Sequence, residues 1–451
     1  MLLGSCTVGP NYRRPSVPVP PSYRDSTRDA GSPSQAESFA DLPWWQIFQD
    51  PVLQDLIRTA FKSNYDLQTA AERINQARAQ VGITRSNQFP QIQGTGDFTG
   101  GKSSSAQTSN ILTLAADASY QLDLFGSLRR ATEAARAQLL GTVEARRVVV
   151  LTLVSDIAND YFQLLGLDLQ LQIAVDTIKN QRDSVRLTQL RADRGVATKV
   201  DVLQAQQVLD TANAQIPDVE RQIGQNEDAI SILLGNYPEG VPRGRRLSEH
   251  YAPPEVPPGL TSALLERRPD IHEAEQTLIA ANAEIGVAKA AFFPQISLTG
   301  SGGASVGSLS FLGTGTSANS GLWSYGASLA QPIFTGGRLV SNLNLAKSQE
   351  REALISYRQT IQRAFGEVSD ALIAYQKIRE QRARQEQSVG TLQEAVRISQ
   401  LRYRGGITTF LEVLDNQRSL FSAQLTLAQI RTSEYQSVVT LYKVLGGGWK
   451  Q

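Results

Sequence analysis

Along most of the chain the apolar positions keep one of two rhythms, and the changes between them mark out its elements. Leu112, Leu114, Ala116, Ala118, Tyr120, Leu122 and Leu124 alternate with Thr113, Ala115, Asp117, Ser119, Gln121 and Asp123. A period of two predicts a strand with one apolar and one polar face. Its length exceeds the ~9–11 residues that a tilted strand needs to cross a bilayer. Gln91–Phe98 has the same rhythm, with Ile92, Gly94, Gly96 and Phe98 on one face. It returns in Ile296 and Leu298, and again in Trp323, Tyr325, Ala327 and Leu329. Gly/Ser-rich stretches join each pair. Strands are therefore expected at about 91–100, 111–124, 295–303 and 322–333, in two hairpins.

Between the hairpins the period is helical. Asp50-Pro51 pairs an N-cap residue with proline at the first helical position, which predicts a helix running to about Asn87. From Leu128 to Arg194 there is no proline, and such a stretch gives roughly 100 Å of helix. Val150, Val154, Ile157, Tyr161 and Leu164 recur at alternating spacings of four and three, continuing through Leu171, Val175 and Ile178, as a coiled-coil seam requires. Leu339 to Arg404 repeats the pattern with Ile361, Phe365, Val368, Leu372 and Tyr375. Each long helix ends at glycine (Gly195; Gly405-Gly406) and turns into a shorter one, Thr198–Leu234 and Thr408–Leu445.

The two halves are copies of one unit. Phe89-Pro90-Gln91-Ile92 matches Phe293-Pro294-Gln295-Ile296. Leu190-Arg191, Gly195-Val196, Thr198, Val202-Leu203 and Gln206 return as Leu401-Arg402, Gly406-Ile407, Thr409, Val413-Leu414 and Gln417. A period of roughly 200 residues is a duplicated half-molecule and not a solenoid. The expected organisation is an extended Pro-rich tether at 1–43, a first repeat at 44–235, a linker at 236–260 and a second repeat at 261–451.

Composition narrows the function by exclusion. The formal charge is +1, from 44 basic and 43 acidic side chains, so nucleic acid is not expected as a partner. His250, His272 and Cys6 have no partners at metal-ligand or catalytic spacing, so neither a metal site nor an enzyme is expected. No uncharged run reaches the ~18 apolar residues of a membrane helix; a membrane crossing would be a β-barrel, making this a mainly α protein with membrane β. Four strands per chain fall short of the ~8 of the smallest single-chain barrels. Closure then calls for several copies in a symmetric ring, with the helices projecting from it.

Leu3-Gly4-Ser5-Cys6 has the form of a lipobox, predicting a covalent lipid on Cys6. Thr7 after it carries no aspartate that would favour inner-membrane retention. Most of a signal peptide is missing upstream, so the sequence reads as truncated.

A wider set of motifs resembles one family: Leu3-Gly-Ser-Cys-Thr-Val-Gly-Pro-Asn-Tyr12, Leu122-Asp-Leu-Phe-Gly126, Leu264-Leu-Glu-Arg-Arg-Pro-Asp-Ile271, Ala291-Phe-Phe-Pro-Gln-Ile296, Leu414-Asp-Asn-Gln-Arg-Ser-Leu420 and Leu441-Tyr-Lys-Val-Leu-Gly-Gly-Gly-Trp449. The chain resembles outer-membrane efflux proteins of the TolC superfamily, in the lipoprotein branch that contains OprM and NodT-type channels. That resemblance implies a homotrimer with a twelve-stranded barrel in outer-membrane lipid and a helical barrel crossing the periplasm. It implies a periplasmic adaptor and an inner-membrane pump as partners, and a passive exit duct without catalysis.

The duplication and the resemblance together mark candidate sites. Leu411, Asp415 and Arg418 align with Val200, Gln204 and Gln207, so only the second half carries charge there. Leu411 and Asp415 share a helical face near the Gly405-Gly406 turn. Residues alone leave open an ordinary solvated helix tip with Asp415 and Arg418 paired; the resemblance implies a periplasmic gate, Leu411 and Asp415 constricting and Arg418 supporting. It also implies a latch between Asp201 and the Arg402-Tyr403 pair. Asp168 falls on the apolar register, but Tyr375 occupies the position where related channels have its arginine partner. Glu266-Arg-Arg-Pro-Asp270 reads as structural, and Tyr120, Trp323 and Tyr325 are candidate interfacial aromatics. A periplasmic adaptor has one hairpin and soluble β-domains, and a structural coiled coil has no use for two alternating hairpins; both remain as alternatives.

Overall fold

A computed structural model describes residues 7–20, 42–102, 108–249, 263–307 and 319–447. In chain order the elements are α1 (Trp44–Ile47), α2 (Pro51–Ser63), α3 (Tyr65–Ser86), β1 (Gln91–Lys102), β2 (Thr108–Leu122), α4 (Ser127–Asp193) and α5 (Lys199–Leu233), then α6 (Leu264–Arg267), α7 (Pro269–Ala290), β3 (Gln295–Gly307), β4 (Asn319–Ala330), α8 (Arg338–Arg404) and α9 (Phe410–Val444). The duplication is conformational as well as sequential. Both α4 and α8 have 67 residues, and both α5 and α9 have 35.

The helix expected from Pro51 to about Asn87 is two helices. Asn64 breaks it with extended backbone, φ −63° and ψ 129°. Its side-chain oxygen accepts from Leu67 N at 2.9 Å, capping α3, while its Nδ2 donates to Leu233 O at 2.9 Å. A short amide that can bond neighbouring backbone competes with helix continuation, and here it starts the next helix instead. Strand ends also shift. β2 stops at Leu122 because Asp123 turns to cap α4, accepting from Leu128 N at 3.1 Å and Arg129 N at 3.0 Å.

The four strands form one antiparallel sheet in the order β1-β2-β3-β4. The register sets Gly96 against Leu114, Leu114 against Ala304 and Gly302 against Trp323. β1 and β4 are thus open edges, each bonded within the chain on one side only.

By compactness the chain divides into two units that cut across the repeats. One comprises residues 1–17, 71–145 and 270–360; the other comprises 18–70, 146–269 and 361–451. The first holds the sheet. Its helical part packs small residues, Ala134 and Ala137 of α4 against Ala280 and Ala283 of α7. Residues 7–14 lie along these helices as a strap: Val8 N donates to Phe125 O, Asn282 Nδ2 to Pro10 O, Arg130 Nη2 to Asn11 Oδ1 and Tyr12 Oη to Glu275 Oε1. Cys6 lies outside the described residues.

In the second unit the expected seam is buried at Val150, Val154, Ile157, Tyr161, Leu164 and Ile178. Val175 departs from it and is 46% exposed. Burial along α4 also accounts for its one 18-residue window of mean hydropathy 1.4, since 61% of that window lies inside the structure, as in a helical core. A polar network ties the inter-repeat segment to this core. Tyr161 Oη donates to Asp50 Oδ2 at 2.8 Å and accepts from Gly244 N at 2.9 Å. A Cβ on Gly244 would meet both Asp50 carboxylate oxygens at 2.4 Å.

Candidate functional site

The alternation seen in sequence becomes two chemically distinct faces of the sheet. One carries Gln91, Gln93, Asp117, Ser119, Thr299 and Ser301, which with Ser324 line a polar trough of about 350 Å³. Thr95 Oγ1 donates to Asp117 Oδ2 at 2.9 Å, and Ser301 and Ser324 share a 2.8 Å hydrogen bond. The other face is apolar and uncovered. Ile92 is 76% exposed, Leu114 57%, Trp323 77%, Tyr325 83% and Leu329 66%. Trp323 and Tyr325 stack at 5.9 Å with rings 5° from parallel, while Tyr120 is half-buried. So large an apolar face left open is a surface built for lipid or a partner.

In the second unit the turns after α4 and α8 have the same backbone. Gly195 and Gly406 both sit at φ 73°, the left-handed conformation that glycine adopts without a Cβ penalty. Val196 N reaches Arg191 O at 2.8 Å, and Ile407 N reaches Arg402 O at 2.9 Å. The side chains then diverge. In the first copy Asp201 closes a capping box, accepting from Thr198 N at 2.8 Å and from Thr198 Oγ1 at 2.8 Å. In the second copy the longer Glu412 takes the Thr408 hydroxyl and pairs with Arg402 at 3.0 Å.

These local bonds bear on one half of the expected latch, the pairing of Asp201 with Arg402. Asp201 is engaged with its own turn and Arg402 with Glu412, so the structure does not bring Asp201 and Arg402 together. Tyr403 does reach the junction of the two hairpins, buried with Ala205, Val208, Phe410, Val413 and Leu414. Arg191, which sequence reading passed over, covers it. Its guanidinium lies 4.2 Å above the Tyr403 ring, and Nη1 donates to Tyr403 O at 3.3 Å. The available signal was that Arg191 is the repeat equivalent of Arg402. Burial pushes the Tyr403 phenol up; the Arg191 charge opposes this and the Asp201 charge adds to it. The hydroxyl itself is buried without a hydrogen-bond partner.

Leu411, Asp415 and Arg418 project together from α9. Leu411 is 58% exposed, Asp415 and Arg418 are exposed, and among the described residues Asp415 and Arg418 form no ion pair. Val413, Leu414 and Gln417 on the opposite side are buried and hold the helix in place. The face is thus held by a buried base and bears an apolar, an acidic and a basic group, with no ion pair to it among the described residues.

Asp168 is paired after all, by a residue outside the repeats. Arg243 Nε lies 3.1 Å from it and also bonds Glu227. Arg268 of the Glu266–Asp270 motif is buried, donating to Val444 O at 3.1 Å and Glu367 at 2.7 Å, a structural clamp. The α8–α9 hairpin carries a half-buried ionic cluster: Arg382 lies 2.7 Å from Glu434 and 3.1 Å from Glu386, and Arg431 lies 3.0 Å from Glu386. Burial raises the pKa of Glu434, which is 2% exposed. At Glu386 burial is outweighed by Arg431 and Arg382, which hold the carboxyl below its usual range. Among the described residues no group of three or more His, Cys, Asp or Glu is placed to hold a metal.

Comparison with known proteins places these features in a wider group. A family model described as outer membrane efflux protein matches residues 56–236 and 260–447. The cation efflux system protein CusC of Escherichia coli O6:H1 is 35% identical over 454 residues, covering all of this chain and 97% of CusC. A crystal structure of CusC, described in connection with folding and transmembrane channel formation, superimposes with a TM-score of 0.88 at 34% identity over 98% of this chain and all of that one. The toluene efflux pump outer membrane protein TtgC of Pseudomonas putida is 37% identical over 99% of this chain and 94% of TtgC. "Probable outer membrane lipoprotein SilC" of Salmonella typhimurium is 35% identical over all of this chain and 97% of its own length.

Proposed function

This chain belongs to the outer membrane efflux protein family, and from that premise we propose that three copies of it form a gated exit duct. The chain is an outer-membrane efflux channel with a mainly helical fold and a four-stranded sheet. The observation that carries the proposal is the sheet itself: an apolar face open to the surroundings, a polar trough behind it and two edges without partners in the chain. In hydrocarbon an unpaired strand edge costs several kcal/mol per group, so the edges must be covered by neighbouring copies. Three sheets give twelve strands, with the polar faces lining the lumen.

In the second unit, threefold symmetry turns the Leu411, Asp415 and Arg418 face into rings. Three carboxylates brought close together repel, and Arg418 offsets that repulsion in the closed state. The Arg191–Tyr403 stack holds the two hairpins of one chain together behind the gate. The docked strap brings Thr7 against Gly126, beside the foot of β2, and we take the adjoining Cys6 to carry a lipid that anchors the chain in the outer membrane. A periplasmic adaptor and an inner-membrane pump complete the path. Relatives named for cations and for toluene share this architecture, which supports a duct whose cargo is chosen by the pump.

Planar-bilayer recording tests the gate. Asp415→Ala with Arg418→Ala is expected to raise single-channel conductance severalfold over the parent. Equal conductance would remove these residues from the constriction.

A further inference from the structure

One pocket of the second unit is not used by the duct. Trp44, Trp45, Arg58, Phe61 and Arg146 line a cavity of about 500 Å³, within the ~300–1,000 Å³ range of small-ligand sites. Its floor is fixed. Trp44 is buried and meets Trp45 and Phe61 edge-on, at 5.5 Å and 87° and at 6.1 Å and 79°. Gln54 donates to both Trp45 O and Phe48 O, at 2.8 and 2.9 Å, pinning α1 on α2, and Tyr442 Oη donates to Leu42 O at 2.7 Å. Trp45, 39% exposed, offers an accessible indole.

The charge is one-sided. Among the described residues no carboxylate lines the cavity and neither Arg58 nor Arg146 has an ion pair; Arg58 donates to Gln54 at 3.3 Å. By contrast Arg268 is matched by Glu367, Arg243 by Asp168 and Arg382 by Glu434. Two unmatched guanidinium groups beside an aromatic wall select an anion that also has an apolar ring face. The fork of each guanidinium fits a carboxylate, and the indole gives a stacking surface.

We propose that this pocket binds a carboxylate-bearing glycan, the peptide-substituted polymer of the cell wall. The inference rests on the reading of this unit as periplasmic, since that polymer is the anionic glycan such a channel would have to traverse. A sugar ring stacks on Trp45, and a peptide-stem carboxylate sits between Arg58 and Arg146. The duct would thereby be fastened to the wall as well as to the membrane.

The test is a titration of the full chain in detergent with the N-acetylglucosaminyl–N-acetylmuramyl tetrapeptide, followed by indole fluorescence and calorimetry. Saturable binding is expected. It should weaken at least about tenfold in Arg58→Gln/Arg146→Gln and in Trp45→Ala, and as much when the sugar or the tetrapeptide is offered alone. Any of four results would overturn the proposal: no saturation, equal affinity in the variants, equal affinity for the tetrapeptide alone (an acidic-peptide site), or equal affinity for benzoate (a site for small aromatic acids). Bilayer recording on the same preparations separates the two readings. Normal conductance of Arg58→Gln/Arg146→Gln shows that lost binding is not misfolding, whereas a parent chain that forms no pore refutes the duct and not the pocket chemistry.

Discussion

Leu114→Arg places a charge near the middle of β2, on the apolar face. Leu114 is 57% exposed in the isolated chain and lies over Gly96, where an added Cβ would be 3.2 Å from its Cδ2. If that face met water, the substitution would remove little packing and bury no charge, so the change would fall within ~0.5 kcal/mol. If it meets the hydrocarbon midplane, the cost is ~2–4 kcal/mol per chain. In a closed trimer the same change occurs three times, giving roughly 6–12 kcal/mol per assembly, comparable with the whole ~5–15 kcal/mol stability of a typical fold. Ser301→Arg is the control, on the opposite face and in the polar trough. The assay is the yield and urea resistance of the complex reconstituted in bilayers of ordinary thickness. Leu114→Arg should lose most of the assembled form while Ser301→Arg keeps it. Equal behaviour of the two would refute the assignment of the faces.

Two further predictions concern the helices. Arg382→Met leaves Glu434 buried without its cation and should cost ~3–5 kcal/mol in denaturant unfolding, while Arg382→Met/Glu434→Leu should recover most of it; no difference between single and double variants would show that the ion pair is not coupled. Asp160 has its carboxyl pushed up to about 6, first by burial and then by the neighbouring Asp156. The folded state therefore holds this proton more tightly than the unfolded chain, and stability is lost as pH rises from about 4 through about 6. Asp160→Asn should stabilise by about 1–2 kcal/mol at pH 8, allowing for solvent screening, and leave stability unchanged at pH 3.5. An unfolding midpoint that shifts equally at both pH values would contradict this.

Much of the architecture was legible in the sequence because burial acts on a strict period. The strand alternation told the two faces of the sheet apart, and the seam from Val150 to Leu164 is buried as its spacing requires. Repetition helped further, since the glycine turns at Gly195 and Gly406 share one backbone geometry. What escaped were contacts that no period encodes. Asn64 breaks a helix through its own amide, and Asp168 finds Arg243 in the segment between the repeats, where internal alignment offers no guide. The expected pairing of Asp201 with Arg402 is not seen within the chain for a related reason. Asp201 and its repeat partner Glu412 differ by one methylene, and each satisfies a nearby turn before reaching the other hairpin. The face proposed as a gate was picked out by the charge that one repeat has and the other lacks. The Arg191 stack on Tyr403 needed three dimensions.

A duct of this kind requires that β1 and β4 be closed by sister chains. The direct measurement is the protein mass of the detergent-extracted complex by native mass spectrometry. Three chains of 49.2 kDa, about 148 kDa apart from lipid, are predicted. A stable folded species of one chain, soluble without detergent, would contradict it.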